Sequence, residues 1–342
     1  MEILTIDDIA NKAGVSKATV SRVLNGSLIV SEETKRKVQY FIEKYDFCPN
    51  STARSLSNRD SKVIAVLVSE IGNEYFGRFL QGVSRAAYEK DYVIMSFNTD
   101  NDLKKERGIL DALRGQFLSG LLYTPSIFYK NADDDLDIKN RIDKLKTPVI
   151  LIDREMFKCD FPGVYFDDKD AMYKSMRYFL EKGHENIAVI TGSFDGSLIR
   201  NRDQGVLQAS EEMGYKFRPE NILRCDYTWE EAYRLTMERF KAGEFPTAFL
   251  LGNNRIGLGF IKALHSLGLE LNRDVECIGI DKIESLDFIN YGYSYIERNS
   301  EEMGRLAIEM LLNQINSQKK IASVYMPANL IIKEQREVGY KC

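Results

Sequence analysis

Lys17, Ser21, Arg22 and Asn25 stand at spacings that bring them to one side of a helix. With Lys17 set at 0°, Ser21 falls at about 40°, Asn25 at about 80°, Ala18 at about 100° and Arg22 at about 140°, while Val20, Val23 and Leu24 fall opposite. One side packs, and the other displays small, polar and cationic groups. Such groups suit the edges of DNA bases. Arg22 can grip a guanine with two hydrogen bonds, worth about 1–3 kcal/mol of discrimination, and Ala18 can meet a thymine methyl. Residues 9–31 hold Lys12, Lys17 and Arg22 and no acid. A three-helix protein-interaction domain with a solvated polar face is the other reading of the same stretch.

The surrounding residues specify the elements that would present this face. Thr5 and Asp8 read as a capping pair before Ile6, Ile9, Ala10 and Ala13, and Gly14 permits the positive φ that ends a helix. Ser16 can cap the second helix. Ser31 can cap a third, which Glu32 and Glu33 favour through the dipole and Val38, Phe41, Ile42 and Tyr45 line on one side. Helix, glycine turn, helix and supporting helix is the helix-turn-helix plan, whose second helix enters the major groove. The DNA-facing set is Thr5, Ser16, Lys17, Ala18, Thr19, Ser21, Arg22 and Asn25.

Other chemistries lack parts. Gly72 to Gly77 has the spacing of a phosphate loop, yet Arg78-Phe79 follows in place of Lys and a hydroxyl residue. His184 and His265 are the only histidines, and no zinc-hydrolase or serine-triad motif accompanies them. Gly257 and Gly259 begin a dinucleotide fingerprint without its third glycine. Five cysteines, odd in number and without C-x-x-C, suggest neither disulfides nor a thiolate metal site, and a reducing cytoplasm fits them. We expect neither enzymatic activity nor a cofactor or metal.

The chain has 342 residues, 44% apolar and 29% charged, enough for two to three ordinary globular domains of about 150 residues. It lacks the apolar run of a signal peptide or membrane span. The net charge of −4 argues against nucleic acid until it is divided, because residues 1–60 carry +1 and the remainder −5. From residue 63, apolar runs alternate with amphipathic stretches: VIAVLV at 63, YVIMSF at 92, GLLYTP at 120, PVILID at 148, GVYF at 163, NIAVITG at 186, AFLLGN at 248 and ECIGID at 276. Such runs suit strands of a parallel sheet, buried on both faces. The fold class is therefore α/β: an all-α headpiece and a core of two similar lobes with a cleft between them.

TIDDIANKAGVSKATVSRVLNGSLIVSEETKRKV followed by CPNSTARSL resembles the headpiece and hinge of the LacI/GalR family of bacterial repressors. The resemblance continues through GNEYFGRFLQGV, VILIDR, YFLEKGHENIAVITG, LLGNNRIGLG, IGID and YMPANLIIKE, which makes the core similar to periplasmic sugar-binding proteins. It implies a hinge helix from Ser51 to Asn58 that orders on DNA, with Asn50 at the interface, Leu56 wedged into the minor groove and Ala53 allowing two such helices to approach. It also implies an effector pocket of Tyr75, Phe76, Asp153, Arg154, Arg202, Tyr227, Asn253 and Asp281, chemistry that suits a sugar or sugar phosphate. Read without it, Asp153 and Asp281 could be helix caps, Arg202 a surface ion pair with its neighbours, and Phe76 and Tyr227 core.

Three positions depart from the family pattern: Glu74, Asn254 and Lys282, the last favouring an acidic ligand if it faces inward. The resemblance implies residues 1–47 as headpiece, 48–61 as hinge, 62–163 with 293–323 as one lobe, and 164–292 with 324–342 as the other. It further implies a cytoplasmic homodimer on a pseudo-palindromic operator, with no appended heptads for a tetramer. The alternatives are control by a protein co-effector, a ligand-binding or transport protein, and an enzyme on the same core.

Overall fold

The computed structural model describes residues 4–24, 29–47, 61–127, 132–156, 159–193, 196–243, 245–317 and 321–333, which fall into two units, Met1–Lys62 and Val63–Cys342. In the first, helices α1 (Ile6–Ala13), α2 (Lys17–Leu24) and α3 (Glu32–Lys44) bury Ile9, Ala10, Ala13, Val20 and Val38 against one another. Gly14, at φ 62°, turns the chain out of α1, and the amide of Val15 closes the turn on the Ala10 carbonyl at 3.0 Å.

The second unit alternates strand and helix. It begins β1 (Val63–Val68), α4 (Glu74–Tyr88), β2 (Val93–Asn98), α5 (Leu103–Leu113), β3 (Gly120–Tyr123), α6 (Ala132–Asp143), β4 (Val149–Ile152) and β5 (Gly163–Phe166). There follow α7 (Asp168–Glu181), β6 (Ile187–Gly192), α8 (Ser197–Glu212), β7 (Ile222–Cys225), α9 (Trp229–Lys241), β8 (Ala248–Leu251) and α10 (Asn254–Leu267). The remainder is β9 (Glu276–Ile280), α11 (Glu284–Phe288), β10 (Ser294–Glu297), α12 (Ser300–Ser317), β11 (Val324–Met326) and β12 (Asn329–Ile331).

Two six-stranded sheets result, in the orders β11-β5-β4-β3-β1-β2 and β12-β10-β9-β8-β6-β7. These are the same order twice, with β12 antiparallel to β10 where β11 is parallel to β5. Strands β1, β3, β4, β6, β8 and β9 are buried almost throughout, as apolar runs covered by helices on both faces must be. Strand β2 departs from that expectation. It lies at the sheet edge and leaves Val93 63% and Met95 40% exposed.

The chain passes between the sheets at three places: between Phe166 and Asp168, between Glu297 and Ser300, and between Met326 and Asn329. This corrects the lobe boundaries expected at 163, 293 and 323. Strand β5 pairs with β4 (Ile152 opposite Val164) and β11 with β5, so both belong to the first sheet, whereas β10 pairs with β9 in the second. The boundary strands are three or four residues long, and their pairing rather than their composition assigns them.

Candidate functional site

In the first unit the Thr5 amide donates to Asp8 Oδ2 at 2.7 Å, while the Asp8 amide donates to Thr5 Oγ1 at 3.3 Å, a reciprocal cap on α1. The Thr5 hydroxyl also donates to Asp8 Oδ2 at 2.6 Å, and this bond, with that from the Thr5 amide, holds the Asp8 carboxyl below the usual range. Ser16 Oγ accepts from the Thr19 amide at 3.1 Å and pairs with the Thr19 hydroxyl at 2.9 Å. Thr5, Ser16 and Thr19 are thus engaged in shaping the helix ends.

Lys17, Ala18 and Arg22 are exposed on α2 and Ser21 is half-buried, with Val20 buried opposite. Lys17 Nζ pairs with Asp7 Oδ2 of α1 at 2.8 Å, so of the two cations on α2 one already has a carboxylate beside it. Asn25, Asn50, Ala53 and Leu56, with the Ser51 to Asn58 hinge, lie outside the described residues.

In the second unit a cavity of about 50 Å³ opens where strand ends of both sheets meet. All eight pocket residues named from the sequence line it: Tyr75, Phe76, Asp153, Arg154, Arg202, Tyr227, Asn253 and Asp281. They span more than 200 positions of the chain, and parallel topology collects them because each follows, or soon follows, a strand's carboxyl end. Asp153 follows β4, Tyr227 follows β7, Asn253 follows β8 and Asp281 follows β9. Three of them, Asp153 at φ 67°, Tyr227 at φ 68° and Asp281 at φ 68°, hold the left-handed backbone that non-glycine residues seldom adopt.

Neither aspartate caps a helix. The Tyr75 hydroxyl donates to Asp153 Oδ1 at 2.7 Å, and Arg298 holds Asp281 with two bonds, from Nε at 2.8 Å and Nη2 at 2.6 Å, while its Nη1 reaches Asp153 at 2.9 Å. Arg202 is 2% exposed and bonded to the Gly252 carbonyl at 2.8 Å, so it is no surface ion pair. Its neighbour Asp203 instead takes Arg224. Asn253 Oδ1 accepts from the Ile256 amide at 2.7 Å, capping α10 from inside the cavity wall.

Arg298 and Asp168 escaped sequence reasoning. Both are buried, and both sit at crossovers, Arg298 just past β10 and Asp168 at the start of α7. The Arg298 guanidinium lies 4.4 Å from the Tyr75 ring centre. Neither ends a long apolar run, and only the pairing of β5 and β10 into different sheets brings them together.

Burial works against the Asp153 carboxylate, but Arg298, Arg154 and the Tyr75 hydroxyl outweigh it and its pKa is lowered. At Asp168 burial prevails over Arg202 and Arg298, and the pKa is raised. Burial pushes the Tyr75 hydroxyl well up, with Asp153 adding to the effect. Arg298 shows the reverse balance: burial disfavours its charge, yet Asp281, Tyr75 and the other aspartates raise its pKa.

The rim of the cleft is bridged. Asn73 Nδ2 donates to Asn254 Oδ1 at 3.2 Å, and Asn254 Nδ2 returns a bond to Asn73 Oδ1 at 2.9 Å. Arg255 grips Glu70 at 2.6 Å, Arg78 pairs with Glu284, and Glu74 Oε2 accepts from the Glu284 amide at 3.1 Å. Two of the three departures from the family pattern, Glu74 and Asn254, therefore join the lobes. Lys282, the third, pairs with Asp287 at 2.7 Å and lines not this cavity but an adjoining one that shares Tyr75, Asp281 and Arg298 with it.

A family model described as bacterial regulatory proteins of the lacI family matches residues 5–50, and one described as a periplasmic binding protein-like domain matches residues 176–334. The HTH-type transcriptional repressor PurR of Serratia proteamaculans (strain 568) is 31% identical over 321 residues, covering 94% of this chain and 93% of that protein. Its counterpart of the same name in Pectobacterium carotovorum subsp. carotovorum (strain PC1) is 30% identical over 326 residues, with 94% and 93% covered. The crystal structure of the lac repressor dimer bound to operator and the anti-inducer ONPF superposes with a TM-score of 0.82 at 22% identity, covering 98% of this chain and 99% of that one.

Proposed function

Because the chain belongs to the LacI/GalR family of DNA-binding transcriptional repressors, which are regulators and not enzymes, we propose that it represses as a homodimer on a pseudo-palindromic operator, under control of a small sugar-like effector in the core cleft. The convergence of eight separated residues on one polar, aromatic-walled cavity between two lobes carries this reading. Carboxylates, amides and guanidinium groups pair hydroxyls, and rings cover the apolar faces of a sugar.

Dimerisation draws support from apolar side chains left in water on each lobe: Tyr88, Val93 and Met95 around β2, and Phe288, 88% exposed, with Ile289 beyond α11. Two-fold symmetry is what makes an operator palindromic. Lys17, Ala18, Ser21 and Arg22 read bases, with Thr5, Ser16 and Thr19 setting the helix ends and Asn25, Asn50, Ala53 and Leu56 completing the contact. Residues 1–47 act as headpiece and 48–61 as hinge. No helix among the described residues is long and apolar enough to cross a membrane, and the cytoplasm is the compartment proposed.

Selection of operator sequences from a random duplex pool, followed by fluorescence anisotropy, tests the reading. The full chain should enrich an inverted repeat and bind it as a dimer. A chain lacking residues 1–62 should lose that binding and keep the dimer, and specific binding by this truncated core sinks the assignment. Arg22→Ala and Lys17→Ala should each relax base preference at one position of each half-site, Lys17→Ala the less because Asp7 already pairs with its ammonium.

A further inference from the structure

The carboxylates facing the cavity are matched by cations more fully than its cations are matched by carboxylates. Arg298 gives Nε and Nη2 to Asp281 and Nη1 to Asp153, which occupies its fork. Arg154 is placed otherwise. Its Nη1 meets two neutral oxygens, Asn101 Oδ1 at 2.9 Å and the Pro125 carbonyl at 2.8 Å, and its nearest carboxylate oxygen, Asp153 Oδ2, stands 3.5 Å from Nε.

Arg202 is similar. Its Nη1 donates to the Gly252 carbonyl at 2.8 Å and the Tyr227 hydroxyl at 3.3 Å, and its Nη2 comes only within 3.4 Å of Asp168. The Nε groups of both Arg154 and Arg202, and the hydroxyl of Ser69 in the same wall, are buried without a hydrogen-bond acceptor. Burial lowers the Arg154 pKa in spite of Asp153, which marks a guanidinium short of negative charge. Asp168, the carboxylate nearest Arg202, is itself shifted towards its neutral form by burial.

We infer that the ligand of this cleft carries an oxyanion, a carboxylate or a phosphate ester, seated on Arg154 and Arg202. The inference rests on the cleft being the effector site and specifies the ligand's chemistry there. Guanidinium forks match oxyanions in shape and charge, and an unpartnered donor in a low-dielectric cavity gains more from a charged acceptor than from a neutral hydroxyl. The aromatic and amide groups of the wall remain for the neutral part of the molecule.

Thermal unfolding of the full-length chain in rising inorganic phosphate, at ionic strength held constant with sodium chloride, tests it. The wild type should show a saturable rise in Tm, as expected for a ligand that binds only the folded state. The apparent affinity should weaken about tenfold or more in Arg154→Gln and Arg202→Gln, with Arg154→Lys between. Arg202 is the more deeply buried, so Arg154→Gln decides if the other variant does not fold. No saturable rise, or a rise unchanged in the glutamine variants, overturns the proposal.

Parallel titrations with D-glucose, D-gluconate and D-glucose 6-phosphate separate the two levels of the argument. Binding of the two acids but not of glucose supports the oxyanion. Binding of glucose alone, weakened by Asp281→Asn, overturns the oxyanion and leaves the cleft as the effector site. Silence from all three sugars and from phosphate overturns the oxyanion and counts against the cleft as well.

Discussion

At the scale of single residues, the cleft is built from positions that oppose their own backbone preferences. Asp153, Tyr227 and Asp281 adopt left-handed φ values that cost a side-chain-bearing residue about 1–2 kcal/mol each. Neighbouring strands hold the aspartates there, because the Asp153 amide donates to the Val164 carbonyl and the Asp281 amide to the Ile296 carbonyl, both at 3.0 Å. The side chains are fixed in turn by Arg298, and this changes what a substitution reports. Asp281→Ala leaves a buried guanidinium with one of its three hydrogen bonds, so it should destabilise the protein by about 3–5 kcal/mol in urea unfolding as well as weaken ligand binding. Asp281→Asn, which keeps the shape and one acceptor, should cost less. A loss under about 1 kcal/mol for the alanine variant would mean that Arg298 does not depend on this pair. The aspartates were placed in the pocket by the family resemblance, since their position at the end of an apolar strand fits a helix cap as well. Arg298 was not, since an arginine after SYIE carries no signal until β10 is known to lie in the second sheet.

At the scale of elements, helix packing sets how precisely the lobes are formed. Helices α4 and α12 cross at Gly82 and Gly304, where a Cβ on Gly82 would fall on the Glu301 carbonyl and one on Gly304 on the backbone of Phe79. Gly82→Ala should therefore force the helices apart and cost about 1–3 kcal/mol, more than its helix propensity returns. A thermal midpoint equal to the wild type's would show that the crossing can shift without cost. Because α12 starts at the crossover after Arg298, the same variant should also weaken ligand binding. Eight of the strands were visible as apolar runs, and each coincides with an observed strand. Strands β7, β10, β11 and β12 were not, because ILRC, SYIE, VYM and NLI are too short and too polar to stand out, and sheet pairing rather than local pattern makes them strands. The three-helix unit was legible nearly to its caps, since Thr5, Gly14, Ser16 and Ser31 act through the residues beside them in sequence.

At the scale of the core as a whole, two lobes of one topology are joined by three short crossovers and by polar pairs across the rim. Arg298 spans the crossovers from inside, touching the strand-end aspartate of each sheet. On the rim, the Glu70–Arg255 ion pair is partly exposed and worth about 0–1 kcal/mol, while the Asn73–Asn254 pair is buried and contributes about 1 kcal/mol per hydrogen bond. Together they bias the lobes towards closure by an amount comparable to the 1–3 kcal/mol typical of allosteric coupling. Removing both with Arg255→Ala and Asn254→Ala should raise the population of open lobes about tenfold or more and reduce apparent ligand affinity by the fraction of competent molecules lost. By linkage, a ligand that binds the closed form and weakens operator binding must itself be weakened by operator, so the double variant should hold operator at ligand concentrations that release the wild type. Hydrogen exchange on the ligand-free chain checks the first step. The amides of Ser69–Phe76 and Asn253–Ile256 should exchange faster in the double variant while those of β3 and β8 do not. Unchanged exchange at the rim would place the control of closure in the contacts the double variant keeps, the Glu284 bridges to Glu74 and Arg78 and the Arg298 crossover, where Arg298→Lys, which keeps the charge and loses the fork, should then alter ligand and operator affinity together.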